Sequence, residues 1–92
     1  MRSQILIVDD EKSFVRSMGF ALSEAGFRAL DANTGEEALN LLTENTPDLM
    51  LLDLRLPGMS GMDVLTETAR LYPELPVVMI SAHGDTRAAV QA

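Results

Sequence analysis

The stretches that decide the fold are Ile5-Leu6-Ile7-Val8-Asp9-Asp10 and Leu49-Met50-Leu51-Leu52-Asp53, two apolar runs that each end in acid. Neither run alternates between apolar and polar residues, as a strand with one face in water would. Continuous apolar runs of this length are typical of strands that helices cover on both faces of a parallel sheet. We therefore predict two central parallel strands, and Val77-Val78-Met79-Ile80 predicts another, which ends at Ser81.

Helical patterns separate these strands. From Lys12 to Ala25 apolar residues recur at helical spacing, and Gly26 follows as a C-terminal stop signal. Thr34 and Glu37 have the spacing of a capping box, which predicts a second helix that ends near Asn45. Two predicted helices therefore lie between the first and the second central strand.

Three further segments complete the pattern. Ser60 can cap a third helix, whose apolar residues we expect to face the sheet: Met62, Leu65, Ala69 and Tyr72. Phe27-Arg28-Ala29-Leu30 mixes apolar and charged residues, which is typical of a short edge strand. The segment from Asp85 to Ala92 predicts the beginning of a fourth helix. This alternation predicts a single α/β domain, residues 1–92, with right-handed crossovers and a parallel sheet.

Composition and charge exclude several classes of protein. Hydrophobic residues make up 47% of the chain and charged residues 23%, which fits a globular core. The chain has no Cys, which excludes disulfide scaffolds and Cys-ligated zinc. Its net charge of -7 repels both nucleic-acid phosphates and anionic lipid. The apolar runs are too short for a membrane span or a signal peptide. We therefore expect a cytoplasmic protein that binds neither nucleic acid nor membrane directly.

Acidic residues follow two of the predicted central strands. Asp9 and Asp10 come directly after one run, and Asp53 ends the other. Because ligands of open parallel sheets bind beyond the carboxyl ends of the strands, the three carboxylates would converge if these strands are neighbours. Their mutual repulsion would raise at least one pKa unless a cation intervenes. Few ligands, all hard oxygens, favour Mg2+, which also accepts phosphate oxygens, so the pattern predicts a site for phosphoryl chemistry.

Each of these acids also has a simpler interpretation. Asp9 and Asp10 precede a predicted helix, where acids commonly cap the helix or stabilise its dipole. A single Asp after a strand, such as Asp53, is more often a turn former than a nucleophile. The joint pattern of the acids with Pro57 and Ser81 favours the phosphoryl site over these separate interpretations.

Three motifs together resemble a response-regulator receiver domain of a two-component system: Asp9-Asp10, Asp53-Leu54-Arg55-Leu56-Pro57-Gly58-Met59-Ser60-Gly61 and Val78-Met79-Ile80-Ser81-Ala82. The resemblance covers the whole chain. It implies a flavodoxin-like doubly wound sheet with strand order 2-1-3-4-5. The segments 81–85 and 88–92 further resemble receivers attached to bacterial enhancer-binding ATPase regulators, which are transcription factors.

The resemblance implies a role for each matching residue. Asp53 would be the phosphoacceptor, Asp10 a direct Mg2+ ligand and Asp9 a ligand through water. The backbone carbonyl of Arg55 would complete the protein's share of the metal sphere. The Ser81 hydroxyl would bind a phosphoryl oxygen and so sense the phosphorylated state.

The chain departs from the family pattern at its C-terminal side. The family pairs the phosphoryl group with a Lys after a fifth strand, whereas the only Lys of this chain is Lys12. We therefore expect strand order 2-1-3-4 with the fifth strand and the last helix missing. Val77 to Ile80 would then leave an unpaired strand edge, which predicts self-association through this edge.

The resemblance implies a signalling module that takes a phosphoryl group from a sensor histidine kinase and relays a change to a C-terminal effector domain. Such a module catalyses only its own phosphorylation and dephosphorylation and is not an enzyme that turns over a metabolite. One alternative is an interaction module whose switch is lost with the family Lys. Another is an aspartyl-phosphate phosphatase, which is disfavoured because Arg55 stands where such enzymes need a second acid. A flavin-binding flavodoxin is also disfavoured, since the loop after Val8 is acidic where a phosphate needs amide donors.

Overall fold

The computed structural model describes residues 3–80 and 88–91 of the chain. Strands and helices alternate through the first of these ranges, as the apolar pattern predicted. The elements are β1 Gln4–Val8, α1 Lys12–Glu24, β2 Arg28–Ala32, α2 Gly35–Glu44, β3 Leu49–Asp53, α3 Gly61–Leu71, β4 Val77–Ile80 and β5 Ala88–Gln91. No helix in the described ranges is long and apolar enough to cross a membrane.

The strands form one sheet in the order β2-β1-β3-β4-β5. Strands β1 to β4 pair in parallel with one another, which confirms the predicted order 2-1-3-4. Ile7 of β1 pairs with Asp31 of β2 on one side and with Leu51 of β3 on the other. This register brings the carboxyl ends of β1 and β3 next to each other, which is what a shared site beyond those ends requires.

The fifth strand corrects two predictions. Ala88–Gln91 is a strand that pairs antiparallel with β4, so the prediction of a helix from Asp85 to Ala92 is wrong for this segment. The β4 edge that we expected to be unpaired is therefore paired, and self-association through it loses its basis. The unpaired N–H and C=O groups of a strand edge favour any extended chain within reach, and this pairing overrides the weak helical preference of four residues.

The two faces of the sheet are covered differently. A closed core lies between the sheet and the pair α2 and α3, and its members are buried: Leu6, Val8, Ala32, Ala38, Leu42, Met50, Leu52, Val64, Val77 and Met79. The strand residues that alternate with these point to the opposite face, where α1 lies against β1 and β2. There Ile5 and Ile7 are buried, but Leu51, Val78 and Ile80 are only half-buried.

The buried helical residues differ in part from those expected. Val15 is the buried residue of α1. In α3 the buried residues are Gly61, Val64 and Thr68, whereas Met62 is 54% exposed. The Thr68 hydroxyl donates to the carbonyl of Leu65, which lets a polar side chain lie in the core side of the helix. The predicted stripe is correct in part, because Leu65 and Tyr72 pack against the core and are partly buried, whereas Met62 and Ala69 are exposed. Met62 and Val64 are both apolar, so packing decides which of them is buried.

Both predicted helix caps form. The Glu37 N–H donates to the Thr34 hydroxyl over 3.1 Å, but the Glu37 carboxylate accepts from the Asn33 N–H and not from that of Thr34. Ser60 and Asp63 form a full capping box, since each side chain accepts from the backbone N–H of the other. This second cap sets where α3 begins, at Gly61, eight residues after Asp53.

Candidate metal centre

Three carboxylates converge at the carboxyl edge of the sheet, as the strand-end pattern predicted. Asp9 and Asp10 follow β1, and Asp53 is the last residue of β3. One carboxylate oxygen from each of the three residues lies within 4.8 Å of the others. The pairing of β1 with β3 is the direct cause, because residues that end adjacent parallel strands project beyond the same edge.

Local turns hold two of these side chains in place. Asp9 Oδ1 accepts from the Glu11 N–H over 2.8 Å, and Asp53 Oδ1 accepts from the Arg55 N–H over 3.1 Å. In each case a carboxylate bonds to the backbone two residues on, as Asp side chains do where a strand turns away. Asp9 and Asp53 are buried, whereas Asp10 is exposed. The site therefore has a fixed inner side and one carboxylate that faces solvent.

The electrostatics of the site favour a cation. Burial raises the pKa of Asp9, the carboxylates of Asp53, Asp10 and Glu11 raise it further, and the Glu11 N–H acts against them. Asp9 Oδ2 is also buried and accepts no hydrogen bond from residues 3–80 or 88–91. A buried carboxylate oxygen without a donor is costly unless a proton or a cation satisfies it. The three carboxylates together offer hard oxygen donors, which fit a divalent cation such as Mg2+.

The beginning of α3 packs closely behind Asp53. The Gly61 N–H donates to the Leu54 carbonyl over 3.2 Å. A Cβ at Gly61 would overlap the Asp53 carbonyl oxygen and would lie 2.8 Å from Leu54 Cα. Gly61 therefore lets the helix approach the turn that carries Asp53. Sequence reasoning assigned this residue no role, although a Gly at the first helical position, where other residues serve better, was a signal of close approach.

The remaining predicted site residues are only partly placed. Arg55 lies in the loop after β3, where its N–H contacts Asp53 and the predicted role of its carbonyl stays a prediction. The Leu54 N–H donates to the Ile80 carbonyl over 3.0 Å, which joins the ends of β3 and β4. Ser81 follows Ile80 and lies outside the described residues. Its role as a sensing hydroxyl therefore stays a prediction as well.

Comparisons with known proteins agree with this architecture. Residues 5–92 match the model of the response regulator receiver domain family. The chain is 42% identical over 86 residues to the DNA-binding transcriptional regulator NtrC of Klebsiella pneumoniae, covering 94% of this chain and 18% of that protein. It is 33% identical over 90 residues to the transcriptional regulatory protein GlrR of Escherichia coli, covering 98% of this chain and 20% of that one. The chain thus spans about a fifth of these relatives.

Solved structures show the same fold. A CheY-like receiver domain protein from Methanospirillum hungatei superposes with a TM-score of 0.87 at 28% identity, over 92% of this chain and 68% of that one. The response regulator TrrA from Thermotoga maritima, solved in complex with Mg2+ and BeF, superposes with a TM-score of 0.84 at 32% identity. That match covers 88% of this chain and 70% of TrrA. The sheet order, the strand-end acids and the family match lead to one conclusion: this chain belongs to the response regulator receiver domain family.

Proposed function

We propose that this chain is a phosphoacceptor module that takes a phosphoryl group from a sensor histidine kinase onto Asp53. One observation carries the proposal. Asp53 is buried at the carboxyl end of a central strand, with oxygens of two further carboxylates within 4.8 Å. A structural turn former needs no such neighbours, and their repulsion is a cost unless the site holds a cation and its phosphoryl ligand.

The residues of the chain divide the work. Asp53 supplies the nucleophilic oxygen: an O–P bond forms as the bond between phosphorus and the donor nitrogen breaks, and the electron pair of that bond stays on the nitrogen. The Arg55 N–H, which donates to Asp53 Oδ1, orients the carboxylate for this step. Mg2+, when bound, neutralises charge on the transferring phosphoryl oxygens. We expect four groups of the chain to hold the Mg2+ ion: the carboxylates of Asp9, Asp10 and Asp53 and the backbone carbonyl of Arg55.

The choice of Mg2+ rests on the donors and on one relative. The three carboxylates offer only hard oxygens, and one of them faces solvent, which suits an ion that keeps several waters. TrrA, which shares the fold at 32% identity, was solved with Mg2+ and BeF. We propose that the same kind of ion binds at the edge formed by β1 and β3 in this chain.

The partners follow from the family and its relatives. We propose that a histidine kinase supplies the phosphoryl group and that an effector domain C-terminal to the receiver, of the transcription-regulating kind found in the relatives, reads the change. The Ser81 hydroxyl would sense the phosphoryl group. The chain would catalyse only its own phosphorylation and dephosphorylation and would act in the cytoplasm, where such kinases deliver their signal.

The proposal is tested by phosphorylation with a small donor. The chain is incubated with acetyl phosphate or phosphoramidate and Mg2+, and intact-mass spectrometry measures an alkali-labile phosphoryl adduct. We expect a single adduct that Asp53→Asn abolishes and that a chelator prevents. The matched control is Asp31→Asn, which removes the same charge from an exposed position on β2 and should leave the adduct unchanged. An adduct that persists in Asp53→Asn would show that another residue is the acceptor.

A further inference from the structure

A groove at the edge of the sheet opposite β5 takes no part in the proposed phosphoryl chemistry. It lies between α1 and the edge strand β2 and has a volume of about 740 Å³. On α1 it is lined by one stripe at helical spacing, consisting of Lys12, Arg16, Gly19 and Ser23. On β2 it is lined by Arg28, Ala29 and Asp31. Because Gly19 and Ser23 are small, the groove stays open along the length of the strand.

The β2 side of this groove is an unpaired strand edge. β2 ends the sheet order, and the described residues include no partner on its outer side. The Arg28 N–H donates to the Ser3 carbonyl, and the Ala32 carbonyl accepts from the Asp9 N–H, so these residues bond toward β1. Because the backbone groups of successive strand residues point to opposite sides, the N–H and C=O groups of Ala29 and Asp31 point outward. Outward groups of this kind are a template for one more strand.

The charge of the groove is opposite to that of the chain. The whole chain carries -7, yet three of its seven Lys and Arg residues line this groove: Lys12, Arg16 and Arg28. Among the described residues none of the three makes a salt bridge, since the one ion pair there joins Arg70 to Glu67. Asp31 is the single acid in the groove lining. The groove is therefore a cationic surface whose charges have no internal partners.

We propose that this groove binds an extended acidic peptide segment of a partner protein, which adds a strand to the outer edge of β2. The peptide backbone would exchange hydrogen bonds with Ala29 and Asp31, and acids at alternate positions would face Lys12 and Arg16 on α1. β2 has five residues, which an extended segment of five to seven residues would match at about 3.3 Å per residue. The proposal goes beyond the phosphoacceptor function and does not depend on it.

The alternative occupants fit less well. A second copy of the chain would bring another seven net negative charges and would place the two Asp31 residues in one joint sheet, which opposes pairing of two β2 edges. A helix would fill the groove but would leave the outward groups of Ala29 and Asp31 without partners. An extended acidic segment satisfies both the backbone edge of β2 and the two cations of α1, Lys12 and Arg16.

The test uses the 92-residue chain and a fluorescein-labelled peptide of sequence Thr-Glu-Val-Glu-Val-Glu-Thr, with binding followed by fluorescence anisotropy at low salt. We expect saturable binding that Arg16→Glu weakens by about tenfold, because an attraction becomes a repulsion. Asp31→Asn should strengthen binding by about twofold or more, because it removes the one acid in the groove. The matched control is Arg70→Glu, which changes the net charge equally on an exposed part of α3 and should leave binding unchanged.

Three further peptides separate strand addition from simple charge attraction. A peptide with Lys in place of Glu should not bind. The other two peptides carry N-methyl groups on one or the other set of alternate amides, so each keeps every charge. We expect much weaker binding only for the peptide that is methylated on the amides facing β2, because it loses the edge hydrogen bonds. Equal binding of both N-methylated registers, or equal weakening by Arg16→Glu and Arg70→Glu, would overturn the proposal.

The protein without peptide provides the last comparison. Sedimentation velocity over a concentration series should show no dimer that depends on this groove. A dimer that Arg16→Glu dissociates and Arg70→Glu does not would overturn the peptide proposal in favour of pairing between two β2 edges. Arg16→Glu should still form the adduct on Asp53 with a small donor, so failure here is distinguishable from failure of the phosphoacceptor proposal.

Discussion

The two faces of the sheet are built from the same strands, yet they are covered to different degrees. On the face of α2 and α3, Met50 and Leu52 are wholly buried. Their neighbour in β3, Leu51, points to the α1 face and is only half-buried. On α1 itself Phe20 is 68% exposed. The comparison shows that an apolar strand residue contributes to stability only as far as a helix covers it, whatever its own hydrophobicity.

The largest expected effect comes from a matched pair in β3. Leu52→Ala should lower the free energy of unfolding by about 3 to 5 kcal/mol, because it removes a wholly buried side chain and leaves a cavity in the closed core. Leu51→Ala removes the same atoms from a half-buried position and should cost about 1 to 2 kcal/mol. Urea unfolding monitored by circular dichroism measures both. Equal losses would mean that the two faces are equally covered in solution.

The next effect concerns the carboxyl edge of the sheet, where the two differently covered faces meet. A metal that binds the native carboxylates but not the unfolded chain stabilises the fold by mass action, by about 2.7 kcal/mol at a hundred times Kd. Thermal unfolding with and without Mg2+ should show this as an upward shift in Tm. Asp10→Ala should lose the shift, whereas Asp31→Ala should keep it. Equal shifts in the wild type and in Asp10→Ala would place the ion elsewhere.

A smaller effect tests how α3 closes its face. Gly61→Ala should destabilise the fold by about 1 to 3 kcal/mol, because its Cβ meets the backbone of Asp53 and Leu54. The displaced turn should also slow formation of the Asp53 adduct. The control is Gly19→Ala in α1, where the added Cβ would meet Ala29 Cβ at an ordinary 4.0 Å. That variant should be neutral or more stable, because Ala favours a helix more than Gly does. The opposite ranking of the two variants would contradict the close approach of α3.

The smallest effect is a dependence on pH. Because the pKa of Asp9 is raised above its ordinary value of 3.8, the metal-free folded chain holds this proton more readily than the unfolded chain. The free energy of unfolding therefore loses a contribution as the pH rises from about 3.8 through the raised folded value. Asp9→Asn should flatten this part of the pH profile and raise the stability above it. An unchanged profile in Asp9→Asn, with Asp31→Asn as control, would show that the burial of Asp9 carries no such cost.

The helices, the central strands and the site were largely predictable from local pattern. Continuous apolar runs at Ile5–Val8 and Leu49–Leu52 indicated covered parallel strands, and acids at their ends indicated one shared site. These predictions held because hydrophobic periodicity and strand-end placement depend on residues close together in the chain. The convergence of Asp9, Asp10 and Asp53 needed one further condition, the adjacency of β1 and β3, and the structure meets it.

Only the tertiary structure decided the rest. Whether Met62 or Val64 would be buried, and how far Leu51 would be covered, depended on which helix packs against which face, since these residues are equally apolar in sequence. Residues 88–91 became a strand because the β4 edge was within reach, and no local pattern records which edges remain open. Gly61 likewise acquired its role from a backbone approach between α3 and β3. Contacts between distant residues are chosen by packing and edge pairing, which the sequence determines only through the assembled fold.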